Sequence, residues 1–136
     1  MEKILHLKKR RDFIRVAKGI RMVVSTVILQ AAPGLLEQNA PYRVGYTTTK
    51  KLGRAVVRNR IRRRLRAAVR EVFPNRGKNG VDYVLIGRYN TASCSFKELK
   101  SDIKWALKKA HAMIENGVFQ SPPPPPKIME EVSDDQ

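Results

Sequence analysis

Between Ala55 and Phe73 the chain places Val57, Ile61, Leu65, Ala68, Val69 and Val72 at helical spacing, threads arginines between them, and stops at Pro74. A repeat of three and four residues fits one face of a helix, and proline cannot continue it. Nineteen such residues extend roughly 28 Å. The fold must therefore bury a narrow apolar stripe on this helix and leave its other sides to charge.

That charge is dense. Lys50, Lys51, Arg54, Arg58, Arg60, Arg62, Arg63, Arg64, Arg66 and Arg70 are ten cations within twenty-one residues, with no acid among them. Arg58, Arg62 and Arg66 fall one turn apart along one flank, while Arg60, Arg63 and Arg64 spread charge around the exposed side. Like charges four residues apart destabilise a helix unless a counter-charge arrives, which argues against a merely solvated face. Arginine's planar fork grips a phosphate through two hydrogen bonds or stacks on a base. Asn59, set between two arginines, offers a donor and an acceptor to a base edge or a 2′-hydroxyl.

Across all 136 residues, 28 Lys and Arg face 12 Asp and Glu, a net +16. Residues 1–120 hold 27 basic and 8 acidic groups, whereas 121–136 set Lys127 against Glu130, Glu131, Asp134 and Asp135. Nucleic acid, an anionic membrane and an acidic protein are all open partners for such a charge. A membrane surface is disfavoured, because no segment pairs this charge with bulky exposed apolar residues. The run Met22–Leu29 follows a basic N-terminus but is short, β-branched and broken by Ser25 and Thr26, so it reads as strand rather than signal or span. Cys94 is the one cysteine, which excludes an internal disulfide and a cysteine metal cluster. The cytoplasm is the expected compartment.

Catalytic sets are wanting. His6 and His111 lie in unrelated segments and read as surface histidines, and the acids are scattered, so no metal set or histidine dyad forms. Tyr42, Tyr46, Tyr83 and Trp105 follow strand or helix spacing and read as packing residues. Cys94, in a polar loop, reads as an incidental thiol.

The remaining elements follow local signals. Residues 8–18 form a short basic helix with Phe13, Val16 and Ala17 on one face and Gly19 as its stop. Residues 22–31 suit a strand ending at Ala32-Pro33-Gly34, with loop from Glu37 to Pro41. Tyr42 to Thr49 alternates as a strand, Lys50 to Gly53 turns, and Val81–Ile86 is strand again after a turn at 75–80. Ser95 and Glu98 have capping-box spacing ahead of Phe96, Leu99, Ile103, Ala106, Leu107, Ala110 and Ile114, a helix ended by Asn116-Gly117. Strands flanking the arginine helix cannot form a hairpin, so the last is expected parallel to the one before that helix. The sum is an α+β sandwich over residues 1–120, a mixed four-stranded sheet packed with helices. Pro122–Pro126 and the acidic end make 121–136 a disordered proline-rich tail.

The string Lys50-Lys51-Leu52-Gly53-Arg54-Ala55-Val56-Val57-Arg58-Asn59-Arg60-Ile61-Arg62-Arg63-Arg64-Leu65-Arg66, with Arg43-Val44-Gly45 before it and Asp12-Phe13 ahead, resembles the hallmark stretch of the bacterial ribonuclease P protein family. The likeness spans about residues 5–115. It implies the ribosomal protein S5 domain 2-like fold, with a left-handed strand-helix-strand crossover against the general rule. It also implies a monomeric protein subunit for a large catalytic RNA, assisting removal of the 5′ leader of precursor tRNA. The RNA subunit would perform the hydrolysis with Mg2+ held by RNA and substrate, and no protein residue would be catalytic. By motif, Lys50, Lys51, Arg54, Arg58, Asn59, Arg60, Arg62, Arg63 and Arg66 would contact RNA, while a groove including Phe13, Ala17 and Gln30 would carry the leader. Many relatives place aromatics where this chain has Ala17 and, nearby, Gln30, so stacking on the leader is expected to be weaker here. Phe13 reads equally as core.

Two other readings fit the residues taken alone. A ribosomal or chaperone-like RNA binder would cosediment with ribosomal particles. A regulator laying the arginine helix in the major groove of DNA would prefer duplex DNA over structured RNA in competition, though arginines on consecutive turns favour phosphates over base edges.

Overall fold

The structure, a computed structural model, describes residues 4–34 and 40–117. The 121–136 tail and most of the loop before Pro41 lie outside the described residues. The elements are β1 (Leu5–His6), α1 (Arg10–Ala17), β2 (Ile20–Val23), β3 (Val27–Pro33), β4 (Arg43–Thr47), α2 (Ala55–Val72), β5 (Val81–Gly87) and α3 (Phe96–Glu115). They build one mixed sheet in the order β1-β4-β5-β3-β2. As the sequence requires, β4 and β5 are parallel neighbours joined through α2, with Val44 opposite Tyr83 and Tyr46 opposite Leu85. β3 runs antiparallel to β5.

The α+β fold is as expected, with two differences in detail. The run 22–31 is not one strand but the core of a hairpin, β2 and β3, paired from Ile20–Ala31 to Val23–Ile28. Its turn is fixed from outside: the Asp102 carboxylate of α3 accepts the Thr26 N–H at 3.1 Å and the Thr26 hydroxyl at 2.7 Å. A fifth strand, β1, is two residues long and pairs parallel with β4 at the sheet edge.

Alternation along the strands sends two sets of side chains to opposite faces. On one face Val27, Leu29, Tyr83 and Leu85 meet Ile61, Leu65, Ala68, Val69 and Val72 of α2 and Leu99, Ile103, Ala106, Leu107 and Ala110 of α3. Leu65 is wholly buried, and removing such a side chain from water contributes about 1.5–3 kcal/mol. Val57, read as part of the stripe, is exposed because it precedes the point where α2 meets the sheet. Trp105 is likewise half exposed, since position 105 falls outside the α3 stripe, and the Lys109 ammonium lies 5.6 Å from its ring.

On the other face α1 covers one end of the sheet, where Val16 packs with Leu7, Ile28, Ala32, Val84 and Ile86, and Phe13 sits against them. α1 is pinned by charge. Arg15 donates to the Pro33 carbonyl at 2.6 Å and to Asp82 at 2.5 Å, and also reaches Asp12 at 3.2 Å; Arg43 forks onto both Asp82 oxygens at 3.0 and 2.7 Å. The guanidinium–carboxylate bond holds Arg43 above its ordinary pKa.

Gly45 lets this helix approach: a Cβ built there would lie 2.6 Å from Cζ of Phe13. Gly45→Ala is expected to destabilise the fold by about 1–3 kcal/mol through overpacking. In a Phe13→Ala background the added methyl should cost less, with only the Leu7 Cβ left close to it, at 3.1 Å. Urea denaturation of the two single variants and the double checks this, and additive losses would contradict it.

His111 is not the surface histidine the sequence implies. Its Nε2 lies 2.6 Å from the Tyr83 hydroxyl, whose oxygen also accepts the Lys78 N–H at 3.0 Å. Burial, then Lys78, pushes the imidazole below 6.5, with Glu115 opposing. The unfolded chain therefore takes up this proton first as the medium acidifies, so the stability is full above the unfolded value and is lost as pH falls through the folded one. The midpoint of urea unfolding should drop between about pH 7.5 and pH 5.5, and His111→Gln should remove part of that slope. An unchanged slope in the variant would contradict the assignment.

Candidate nucleic-acid interface

α2 begins without the usual aids. Arg54 occupies its N-cap with no side-chain cap, and no acid stands in its first turn. The preceding 3-10 turn, Lys50–Leu52, ends at Gly53, whose φ of +127° is open to glycine. Its carbonyl accepts Arg58 Nε at 3.2 Å. Lysines and arginines thus crowd the positive end of the helix dipole, which costs stability until an anion arrives.

Beyond Arg58 the cations divide between two flanks. Toward β4, Arg62 bridges the Asn59 side-chain oxygen at 3.0 Å and the Thr48 hydroxyl at 2.6 Å. Arg66 lies over the Tyr46 ring, 5.5 Å from its centroid. Val56, Asn59, Arg62, Arg63 and Arg66 line an open groove of about 540 Å³ along this flank. On the other flank Arg60 Nε donates to the Ala92 carbonyl at 3.1 Å while staying exposed. Arg64, which the helical wheel places in the exposed array, instead clasps the loop before α3, donating to the Ala92 carbonyl at 3.3 Å and to the Cys94 carbonyl. Cys94 is therefore part of a structural clasp, half-buried, its thiol pushed up by burial.

Four of the described acids are engaged elsewhere: Asp12 and Asp82 with arginines on the α1 face, Asp102 with Thr26, and Glu71 with Lys100 at 2.8 Å. None of these reaches the Asn59–Arg63–Arg66 flank. The structure thus brings Arg58, Asn59, Arg60, Arg62, Arg63 and Arg66 onto one helix surface, with Lys50 and Arg54 exposed at its foot.

Lys51 faces another way. It lines a cavity of about 320 Å³ with Arg21, Val23, Ile28, Thr49, Leu52, Gly87, Arg88 and Tyr89. This lies at the far end of the α1-side face, and Tyr89 is 73% exposed beside it. Of the residues expected to carry the leader, Phe13 is half-buried over Gly45, Gln30 is buried on the same sheet face, and Ala17 is exposed at the end of α1. Spacing could not have found Tyr46 as a neighbour of the arginines, because it shares a strand face with buried Val44. Nor does it show that the exposed His6 ring stands 5.9 Å from Tyr46.

Among the described residues no group of three or more His, Cys, Asp or Glu gathers as metal ligands, and no helix is long and apolar enough to cross a membrane.

A profile of the Ribonuclease P family matches residues 1–111. The ribonuclease P protein component of Ruegeria pomeroyi is 46% identical over 107 residues, covering 78% of this chain and 86% of that protein. That of Gluconacetobacter diazotrophicus is 49% identical over 104 residues, covering 76% and 89%. Among solved structures, the Staphylococcus aureus RNase P protein superposes with a TM-score of 0.65 at 25% identity, covering 79% of this chain and 96% of that one. A family match over residues 1–111, with relatives close to half identical over most of the chain, means that the chain belongs to the ribonuclease P protein family, the protein component of that endoribonuclease.

Proposed function

We propose that the chain works in the cytoplasm as the single protein subunit of a ribonuclease P, binding the catalytic RNA through α2 and the 5′ leader of precursor tRNA through the α1 side of the sheet. One observation carries this reading: an arginine surface that no ion pair neutralises among the described residues, on a chain of this family. Lys50, Arg54, Arg58, Asn59, Arg60, Arg62, Arg63 and Arg66 take the catalytic RNA. The leader runs from Phe13 past Ala17 and Gln30 toward the cavity where Lys51 and Tyr89 stand. Val84 and Gly87 mark the two ends on β5, about 10 Å apart at strand spacing. Tyr89 offers the aromatic platform that positions 17 and 30 lack.

The two surfaces lie on opposite faces of the sheet, so the protein stands between two polyanions that repel each other. Neutralising both lowers the cost of bringing substrate to the catalytic RNA, which is where the hydrolysis occurs. Mg2+ belongs to the RNA and the substrate. Asp12, Asp82 and Glu71 are paired with cations of the same chain, and no step is assigned to a metal on the protein.

At a magnesium concentration where a bacterial ribonuclease P RNA alone is nearly inactive, adding the protein should produce cleavage at the 5′ end of a precursor tRNA. RNA cleavage rates that ignore the protein would overturn the proposal.

A further inference from the structure

His6 lies on β1 opposite Val44, which turns its ring to the α2 side of the sheet. There it meets Tyr46 at 5.9 Å, tilted by 46°, and Tyr46 carries the Arg66 guanidinium 5.5 Å from its centroid. Three side chains from α2, β4 and β1 thus form one row, beginning in the arginine groove and ending on an exposed imidazole at the sheet edge. β1 is held in place by its pairing with β4 and by the Leu7 N–H donating to the Val44 carbonyl at 3.0 Å. Its position is therefore fixed relative to α2.

We propose that the interface for the catalytic RNA continues off α2, across Tyr46, onto His6, which takes an RNA phosphate with Arg66 and Lys8 beside it. The inference rests on the reading of α2 given above. Its chemistry is that of a polyanion tracking a basic groove: Arg66 is held ready over a neutral ring, and the phenol of Tyr46 is pushed up to about 12 by burial against the pull of Arg66 and Arg70. Acting on His6 are burial, Arg66 and Lys8, all of which keep the imidazole below its ordinary 6.5, and among the described residues no carboxylate opposes them. Tyr46 adds an uncharged ring. A phosphate set against His6 would reverse this balance, so binding would draw a proton onto the ring. Affinity then rises as pH falls through the interval between the free and bound values.

The test titrates the full chain against the catalytic RNA from about pH 8 to about pH 5.5 at fixed salt and magnesium, alongside His6→Gln and a variant with Arg58, Arg60, Arg62 and Arg66 replaced by Gln. Each unit by which binding raises the His6 pKa is worth about tenfold in affinity across the interval. The wild type should gain up to that much on acidification, while His6→Gln, unchanged in melting temperature, should lose the gain. The His6 imidazole resonance should titrate at higher pH in the complex. If the arginine variant loses binding but His6→Gln follows the wild type at every pH and the resonance does not move, this inference fails and the reading of α2 stands. If the wild type does not bind the RNA at all, both fall.

Discussion

Replacing Arg58, Arg60, Arg62 and Arg66 together by glutamine should weaken binding to the catalytic RNA on the order of a thousandfold at about 0.1 M salt, while the protein stays folded. The size follows from counterion release. Each phosphate contact contributes about 0.7–0.9 to the slope of log affinity against log salt, so four lost contacts flatten it by about 3. The fold should survive because none of the four side chains enters the core: Arg58, Arg60 and Arg62 bond to Gly53, Ala92, Asn59 and Thr48, and Arg66 lies over the Tyr46 ring. Removing them also relieves like-charge repulsion along α2. Arg64 is left in place because it clasps the Ala92–Cys94 loop. Filter binding across a salt series, with melting temperature as control, measures both quantities. A folded variant with the wild-type slope would remove α2 from the interface.

Asp82→Ala should have the largest effect on stability, a loss of about 3 kcal/mol. Asp82 is 2% exposed and receives Arg15 from α1 and Arg43 from β4. Without it two largely buried guanidiniums are left with Asp12 alone, at 3.2 and 3.8 Å. An uncompensated buried charge is worse than no charge, which is why removing one partner costs more than the pair contributes. For a chain of this size the melting temperature should fall by roughly 10 °C. Because Arg15 also ties α1 to the Pro33 carbonyl, the variant should lose affinity for precursor tRNA more than for the catalytic RNA. Calorimetry together with the two affinities checks this; a melting temperature within about 2 °C of the wild type would mean that α1 is held by apolar packing alone.

The elements that were legible are those whose signals are local. α2 carries a long apolar period and a proline stop, and α3 carries Ser95, whose oxygen accepts the Glu98 N–H at 3.0 Å, with Gly117 at φ +79° behind it. The β2–β3 hairpin was not legible. Val27 to Ala32 is buried on both faces, which erases the alternation that marks a strand. Its turn has no glycine, asparagine or proline at Val24-Ser25-Thr26, because an aspartate 76 residues away does their work. β1 leaves no mark in the sequence because two residues carry no period. The same contrast runs through the site. The arginine helix announces itself as a run of charge, whereas the Asp12–Arg15–Arg43–Asp82 cluster and the Arg66–Tyr46–His6 row are assembled from distant segments whose spacing holds no information about contact.

The proposed interface sets the outer face of α2 against the catalytic RNA. It is tested most directly by a photoreactive group attached at position 63 through Arg63→Cys in a Cys94→Ser background, with the reconstituted enzyme irradiated on labelled precursor tRNA. Crosslinks to the catalytic RNA, absent from the leader, are the predicted result. Crosslinks to the leader alone, or none to either RNA in an enzyme that still cleaves, would contradict it.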